Sequence, residues 1–139
     1  MTGSSHQATC VAVGGRGLLI EGAPGTGKSS LALALIDRGA MLVGDDGVLL
    51  ERRLGQLWAL PHPNIAGLLE LRNVGLLTYP CAPAPIALVL RLDEAAPRHV
   101  ETPERTRLAG HDLPLLRLWP GGAVLHLRAE AALNLYGEG

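Results

Sequence analysis

The stretch EGAPGTGKSS at residues 21–30 decides the fold. It contains the pattern G-x-x-x-x-G-K-[ST], which is typical of a loop that binds phosphate groups. Glycines let the backbone curl until its N–H groups converge on phosphate oxygens, and the positive end of the following helix attracts the same anion. The predicted nucleotide-binding residues are Gly22, Ala23, Pro24, Gly25, Thr26, Gly27, Lys28, Ser29 and Ser30.

Two side chains of this loop have their own predicted roles. Lys28 has the reach to contact the β- and γ-phosphates of a nucleotide, and the Ser29 hydroxyl is a ligand for the accompanying magnesium ion. The segment GLLIEG at residues 17–22 predicts a strand that leads into the loop. Apolar residues at helical spacing predict a helix over residues 30–39, with Gly39 at its C-terminal end.

Apolar segments separated by glycines and prolines predict further strands along the chain. Residues 65–77 favour neither a helix nor a strand, and the polar segment 94–112 predicts an exposed, mobile loop. A closing helix is predicted over residues 122–137. Its apolar face is expected to consist of Val124, Leu127, Ala131 and Leu135. The predicted strands are 8–13, forming a hairpin with 17–22, then 41–52 in two pieces, 56–60, 86–93 and 113–119.

The composition restricts the class of protein. The 139 residues are 47% hydrophobic and 18% charged, which is typical of one globular domain over residues 1–139. A net charge of −1 without a cluster of basic residues argues against a nucleic-acid partner. The sequence shows neither a run long enough to span a bilayer nor a secretion signal, so we expect a cytoplasmic protein without membrane contact. Cys10 and Cys81 are expected to remain free thiols.

Two adjacent aspartates, Asp45 and Asp46, lie 17 residues after Lys28. This short spacing predicts that the strand after the first helix returns beside the glycine loop. There, one carboxylate would hold or orient magnesium, and the other would take a proton from an attacking hydroxyl group. The sequence Asp-Asp-Gly is equally compatible with an ordinary turn, because aspartate and glycine both favour turns.

Four segments together resemble the C-terminal kinase domain of HPr kinase/phosphorylase. They are HQATCVAV (6–13), GLLIEGAPGTGKSSLALALIDRG (17–39), LVGDDGV (42–48) and LLELRNVGLL (68–77). The resemblance implies an α/β P-loop nucleotide-binding domain of the HPr kinase and phosphoenolpyruvate carboxykinase-like type. Such a domain has a mixed sheet, a helix after the P-loop and a C-terminal helix.

The resemblance also implies an activity. Members of this family bind ATP and Mg²⁺ and phosphorylate a serine of HPr, a phosphocarrier protein of the sugar phosphotransferase system. Many also run the reverse reaction with inorganic phosphate, and the family assembles as a homo-oligomer, a hexamer. Two other functions remain open for this chain: a P-loop small-molecule kinase, and a nucleotide-binding regulatory module without catalysis.

Residue by residue, the resemblance assigns the acidic positions as follows. Asp46 is the candidate catalytic base, and Asp45 lies beside it near the metal. Glu70 matches the glutamate of the family's Leu-Glu-x-Arg motif, a candidate magnesium ligand. The implied metal ligands are therefore Ser29, Asp45 and Glu70.

The resemblance also assigns three basic residues to the catalytic site. Arg72 matches the arginine of the same Leu-Glu-x-Arg motif. His6 matches a histidine that precedes the first strand and lies near the phosphate. Arg107 matches an arginine that contacts phosphate from a mobile loop.

The chain departs from the family pattern at several points. Asn73 replaces a glycine after the Leu-Glu-x-Arg motif, and asparagine is the best substitute for glycine where φ is positive. The segment Pro120-Gly121-Gly122-Ala123 replaces Pro-Gly-Arg-Asn, which is tied to the reverse reaction. The chain begins at about the kinase domain, as do short forms found in alphaproteobacteria.

Overall fold

The computed structural model describes residues 4–139. Residues 1–3 lie outside the described residues. They are part of the predicted single domain and of the N-terminal segment in which no secretion signal is expected. The helices are α1 (Lys28–Asp37) and α2 (Leu125–Tyr136). The strands are β1 (Ser4–His6), β2 (Thr9–Val13), β3 (Arg16–Gly22), β4 (Met41–Gly44), β5 (Val48–Arg53), β6 (Gln56–Pro61), β7 (Leu68–Leu71), β8 (Gly75–Thr78), β9 (Ala84–Leu92), β10 (Glu104–Leu108) and β11 (His111–Leu118).

The central sheet places its functional loops at one edge. Its strand order is β10-β11-β9-β3-β2-β4. Strands β11, β9 and β3 are parallel, and β4 runs in the same direction because β2 is antiparallel to both β3 and β4. The carboxyl ends of β3, β4, β9 and β11 therefore meet at one edge, where ligands bind in open α/β sheets.

Both faces of the central sheet are covered. Along β3, Leu18 and Ile20 belong to a buried cluster with the two helices, whereas Leu19 belongs to a second cluster on the other face. This alternation follows from the two-residue period of a strand. Strands β1, β5 and β6 extend over the second face, and β6 is joined to the start of β9 at Trp58 and Ala59. The result is a mixed α/β sheet with a C-terminal helix, as predicted.

Most predicted elements are confirmed, with small shifts of their ends. The 8–22 hairpin is present as β2 and β3, and the helix after the glycine loop is α1. The ambiguous segment 65–77 contains most of a two-stranded hairpin, β7 and β8. Cys10 and Cys81 are both free, and burial raises the pKa of the Cys10 thiol. Within residues 4–139, no helix is both long and apolar enough to cross a bilayer.

The prediction of a mobile loop over residues 94–112 was wrong in its second half. Residues 104–108 form β10, which pairs with β11 at the edge of the central sheet. Its inner residues Thr106 and Leu108 are partly buried, and charged residues occupy the exposed positions. Charged side chains on an edge strand discourage pairing with another chain, and they gave this segment the composition of a loop.

The predicted apolar face of the closing helix was also wrong. Val124 precedes α2, and Leu127, Ala131 and Leu135 are exposed. The buried positions are Leu125, Ala129, Ala132 and Leu133. Both sets have helical spacing in an alanine- and leucine-rich helix, so the pattern alone did not determine which one packs against the sheet.

Truncation of the two helix faces should therefore have different costs. Leu133 is 1% exposed and Leu135 is 74% exposed. We expect Leu133→Ala to lower the free energy of unfolding by about 2–5 kcal/mol through the lost burial and the cavity left behind. Leu135→Ala, the matched control, should change it by less than about 0.5 kcal/mol. Urea unfolding followed by circular dichroism measures both, and a larger loss for Leu135→Ala would contradict the observed packing.

Candidate active site

The glycine loop connects the end of β3 to the start of α1. Gly25 and Gly27 have φ angles of 83° and 97°, in the left-handed region that favours glycine. A Cβ atom at Gly22 would lie 2.7 Å from Thr26 Oγ1, so a side chain does not fit there. The Lys28 ammonium donates hydrogen bonds to the carbonyl oxygens of Gly22 at 2.8 Å and Ala23 at 3.3 Å. The loop is thus a tight curl with its lysine folded over it.

The buried Asp45 carboxylate connects four elements of the site. It follows β4 and accepts a hydrogen bond from Thr9 Oγ1 of β2 at 2.9 Å and from Ser29 Oγ of α1 at 2.7 Å. Its second oxygen accepts one from the backbone N–H of Glu70 in β7 at 3.2 Å. Three donors compensate the desolvation of a buried carboxylate, and they fix Ser29 beside it.

Asp46 differs from its neighbour in exposure and backbone conformation. Its side chain is exposed, and its φ of 62° lies in the left-handed region, which aspartate tolerates better than most residues. Its backbone N–H points to Thr9 Oγ1 at 3.5 Å. A tight turn therefore presents one aspartate inward to Ser29 and the other outward to solvent.

The β7–β8 hairpin brings the Leu-Glu-x-Arg segment to the glycine loop. Glu70 is attached through its backbone to Asp45, and its side chain is exposed. A guanidinium nitrogen of Arg72 lies 4.0 Å from the Cβ position of Gly25. Asn73, in the turn of the hairpin, has a φ of 69°, in the left-handed region that asparagine tolerates better than most residues.

His6 belongs to a polar cluster that the sequence did not predict. Its Nε2 lies 3.1 Å from Oε2 of Glu21, the residue before the glycine loop. Arg91 of β9 donates a hydrogen bond to the other Glu21 oxygen at 2.9 Å. The hydrogen bond with His6 is the largest effect that lowers the pKa of Glu21. Partial burial opposes it, and Arg91 lowers the pKa further.

Arg107 lies away from these residues. It is exposed on β10, and in the backbone pairing of β10 with β11 it lies opposite Asp112, near the start of β11. The glycine loop lies at the other end of this sheet, where β11 ends at Leu118. With a rise of about 3.3 Å per residue, the two ends of β11 are on the order of 20 Å apart. The structure thus brings together His6, the aspartates, Glu70 and Arg72, but not Arg107.

Sequence reasoning missed three polar residues of the site. Thr9 was read only as part of an apolar strand, although a buried hydroxyl in such a strand requires a partner. Glu21 follows the apolar run GLLI directly before the glycine loop, and this position is the signal in the sequence that marks it. Nothing in the local sequence marks Arg91, because its partner Glu21 is 70 residues away.

A magnesium ion fits the oxygen atoms gathered here. The Ser29 hydroxyl and the Asp45 carboxylate are in direct contact, and Glu70 adjoins them through its backbone. These are hard oxygen donors, and Mg²⁺ typically uses one or two protein carboxylates together with substrate phosphates and water. Among residues 4–139, no group of three or more His, Cys, Asp or Glu side chains is close enough to form a protein-only metal site.

The fold and this edge define the class: an α/β protein of the P-loop type. The chain belongs to the HPr Serine kinase C-terminal domain family, whose model matches residues 2–80. A solved structure, the Hpr(Ser) kinase/phosphatase from Coxiella burnetii, superposes with a TM-score of 0.82 at 26% identity. That similarity covers 95% of each chain, so it includes the C-terminal region outside the family match.

Relatives named HPr kinase/phosphorylase support the same family. The protein of Mycoplasma mycoides is 29% identical over 110 residues, and that of Streptococcus thermophilus is 41% identical over 75 residues. These matches cover 73% and 53% of this chain. They correspond to only 35% and 24% of the two relatives, so the matched region spans about a third of one relative and a quarter of the other.

The Thr9 hydroxyl should be required to stabilise Asp45. Thr9→Val keeps the shape but leaves the buried carboxylate without one donor, so we expect a loss of about 1–3 kcal/mol in the free energy of unfolding. Thr9→Ser keeps the hydroxyl and loses one methyl group, which costs about 1 kcal/mol or less. Thr78→Val, at an exposed position of β8, is the control. A Thr9→Ser variant as unstable as Thr9→Val in urea unfolding would refute the role of the hydroxyl.

The Glu21 cluster should make stability depend on pH. Because the pKa of Glu21 is lower in the folded chain, its charge contributes stability above the ordinary glutamate pKa of about 4.3. This contribution is lost as the pH falls through the lowered folded value. We therefore expect the stability advantage of the wild type over Glu21→Gln to shrink as the pH falls below about 4. Thermal unfolding at a series of pH values tests this, with the exposed Glu101→Gln as control.

Proposed function

We propose that this chain is an ATP- and Mg²⁺-dependent kinase that phosphorylates a serine of an HPr-like phosphocarrier protein in the cytoplasm. One observation carries the proposal: buried Asp45 holds Ser29 of the phosphate-binding loop, while the next residue, Asp46, is exposed. This arrangement supports a phosphate site with an exposed carboxylate beside it. Membership of the family supports the choice of acceptor.

The chain's own residues divide the work of phosphoryl transfer. The glycine loop and Lys28 bind the phosphates and offset their charge, with Arg72 placed to assist from the β7–β8 hairpin. The serine oxygen of the acceptor forms a bond to the γ-phosphorus, the bond to the β–γ bridging oxygen breaks, and ADP leaves. Asp46 accepts the proton of the serine hydroxyl.

Ser29, Asp45 and Glu70 are the residues that would hold magnesium. The ion, when bound, neutralises charge on the phosphate oxygens. Asp45 keeps the Ser29 hydroxyl at the loop, and the Glu70 side chain, which is exposed beside it, completes the donor set. His6 lies near the loop through Glu21 and adds a positioning contact at the end of β3.

The exposure of Asp46 favours a protein acceptor over a small molecule. A small-molecule kinase encloses its acceptor. Asp46 is exposed, and residues 104–108 pair with β11 at the opposite edge of the sheet from β4. An exposed carboxylate at a turn is accessible to a serine on another protein. The complete set of loop lysine, loop serine and paired aspartates likewise favours catalysis over a purely regulatory module.

Two further properties belong to the proposal. The relatives' names include phosphorylase and phosphatase activities, so the reverse reaction from inorganic phosphate is part of the function to be tested. A homo-oligomer, a hexamer by resemblance, is proposed as the assembled state. Release of pyrophosphate from the phosphorylated carrier and light scattering, respectively, measure these two properties.

Asp46→Asn is the sharpest test of the kinase activity. Asparagine tolerates the same left-handed backbone, so the fold should be retained while the proton acceptor is lost. We expect transfer to the carrier to fall about 10²–10⁴-fold, measured by mass spectrometry with ATP, Mg²⁺ and purified HPr from the same organism. Asp112→Asn, on β11 away from the loop, should retain full activity. Phosphorylation of no HPr-like carrier by the wild type, despite nucleotide binding, would reject the proposal and favour a regulatory module.

A further inference from the structure

A cavity of about 640 Å³ lies beside the glycine loop, on the side opposite the aspartates. Strand order explains its position: from β3, the strands β2 and β4 lead to Asp45, whereas β9 and β11 lead the other way. The cavity is lined by the loop residues 23–26, by Asp93 and Glu94 after β9, and by Trp119 after β11. It therefore occupies the crevice at the carboxyl ends of three parallel strands.

Trp119 is the aromatic wall of this cavity, and its surroundings hold it in place. The Arg128 guanidinium lies over the indole, 6.0 Å from the ring centroid. The same Arg128 donates hydrogen bonds to the carbonyl oxygens of Trp119 at 3.3 Å and Gly121 at 2.6 Å. A Cβ atom at Gly121 would lie 2.6 Å from Trp119 Cζ2, so the ring packs directly against this glycine.

The indole remains accessible despite these contacts. Trp119 is 52% exposed, so about half of its surface is open to a ligand. Trp119 lines the cavity, so part of its exposed surface faces the space beside the glycine loop. A nucleobase is flat and apolar on its faces, and stacking on an aromatic side chain is its common mode of recognition.

We propose that this cavity holds the base and ribose of the nucleotide and that the base stacks on Trp119. The inference rests on the proposed function in one respect, that the glycine loop binds the phosphates of a nucleotide. Phosphates seated in the loop leave a nucleoside two directions to extend. The direction of the aspartates is required for the acceptor, and the direction of Trp119 offers a cavity within the usual 300–1,000 Å³ of ligand sites.

Calorimetric titration with two ligands isolates the base. The probes are Mg-ATP and Mg-tripolyphosphate, which has three phosphates and no base. We expect Trp119→Ala to weaken Mg-ATP binding about 10-fold, the loss of one stacking contact, and to leave tripolyphosphate binding unchanged. Trp119→Phe keeps an aromatic face and should remain within about threefold of the wild type. Leu135→Ala, at another exposed apolar residue, is the control and should bind both ligands as the wild type does.

Tryptophan fluorescence gives a second readout that needs no catalysis. The chain has two tryptophans, and Trp58 is partly buried with an indole nitrogen that has no hydrogen-bond partner within residues 4–139, so Trp58→Phe removes no such bond. In that variant Trp119 is the sole reporter. Mg-ATP should quench its emission, and Mg-tripolyphosphate should not.

The outcomes separate this inference from the proposed kinase activity. Equal Mg-ATP affinity in the wild type and Trp119→Ala, or an equal loss of affinity for tripolyphosphate, would overturn the base site. A Trp119-dependent preference for ATP without transfer to any carrier protein would support the base site and reject the kinase proposal. A wild-type chain that binds neither probe would overturn both.

Discussion

The hydrogen bonds accepted by Asp45 are the interaction on which the rest of the site depends. A buried carboxylate is costly unless its oxygens are satisfied, and here the donors come from β2, α1 and β7. Each donor belongs to a different part of the chain, so satisfying one charge also fixes the first turn of α1 and the β7–β8 hairpin. The position of Ser29 and the approach of Arg72 to the loop follow from this one group.

Strand direction divides the site into two sides. Because β3, β4, β9 and β11 end at the same edge, the loop after β3 lies between the aspartates and Trp119. Phosphoryl transfer requires the attacking and leaving oxygens to lie roughly in line. In the proposed reaction, an acceptor at Asp46 and a nucleoside at Trp119 approach the phosphates from opposite sides. The sheet topology is thus compatible with the geometry that the chemistry requires.

The sequence predicted the elements that short-range spacing and backbone freedom determine. The glycine loop, the β2–β3 hairpin and α1 depend on backbone freedom and short-range spacing, and all were predicted correctly. The buried face of α2 was not predicted correctly, because the choice between its two apolar stripes depends on the sheet that the helix packs against. Strand β10 was not predicted either, because its formation depends on pairing with β11. The Glu21 cluster joins residues 15 and 70 positions apart, which no window along the chain contains. The assignment of a single domain over residues 1–139 stays a prediction.

The departure at residues 120–123 has a structural reason of its own. Gly122 has a φ of 93°, which an arginine at that position would adopt only with strain, and Gly121 lies against the Trp119 ring. Arg128, from α2, supplies a guanidinium that holds this segment through its carbonyl oxygens. The turn needs the backbone freedom of Gly122, and a side chain at Gly121 would force the Trp119 ring to move. A left-handed turn at Gly122, with Arg128 bonded to the carbonyl oxygen of Gly121, therefore stands where the family pattern has arginine and asparagine.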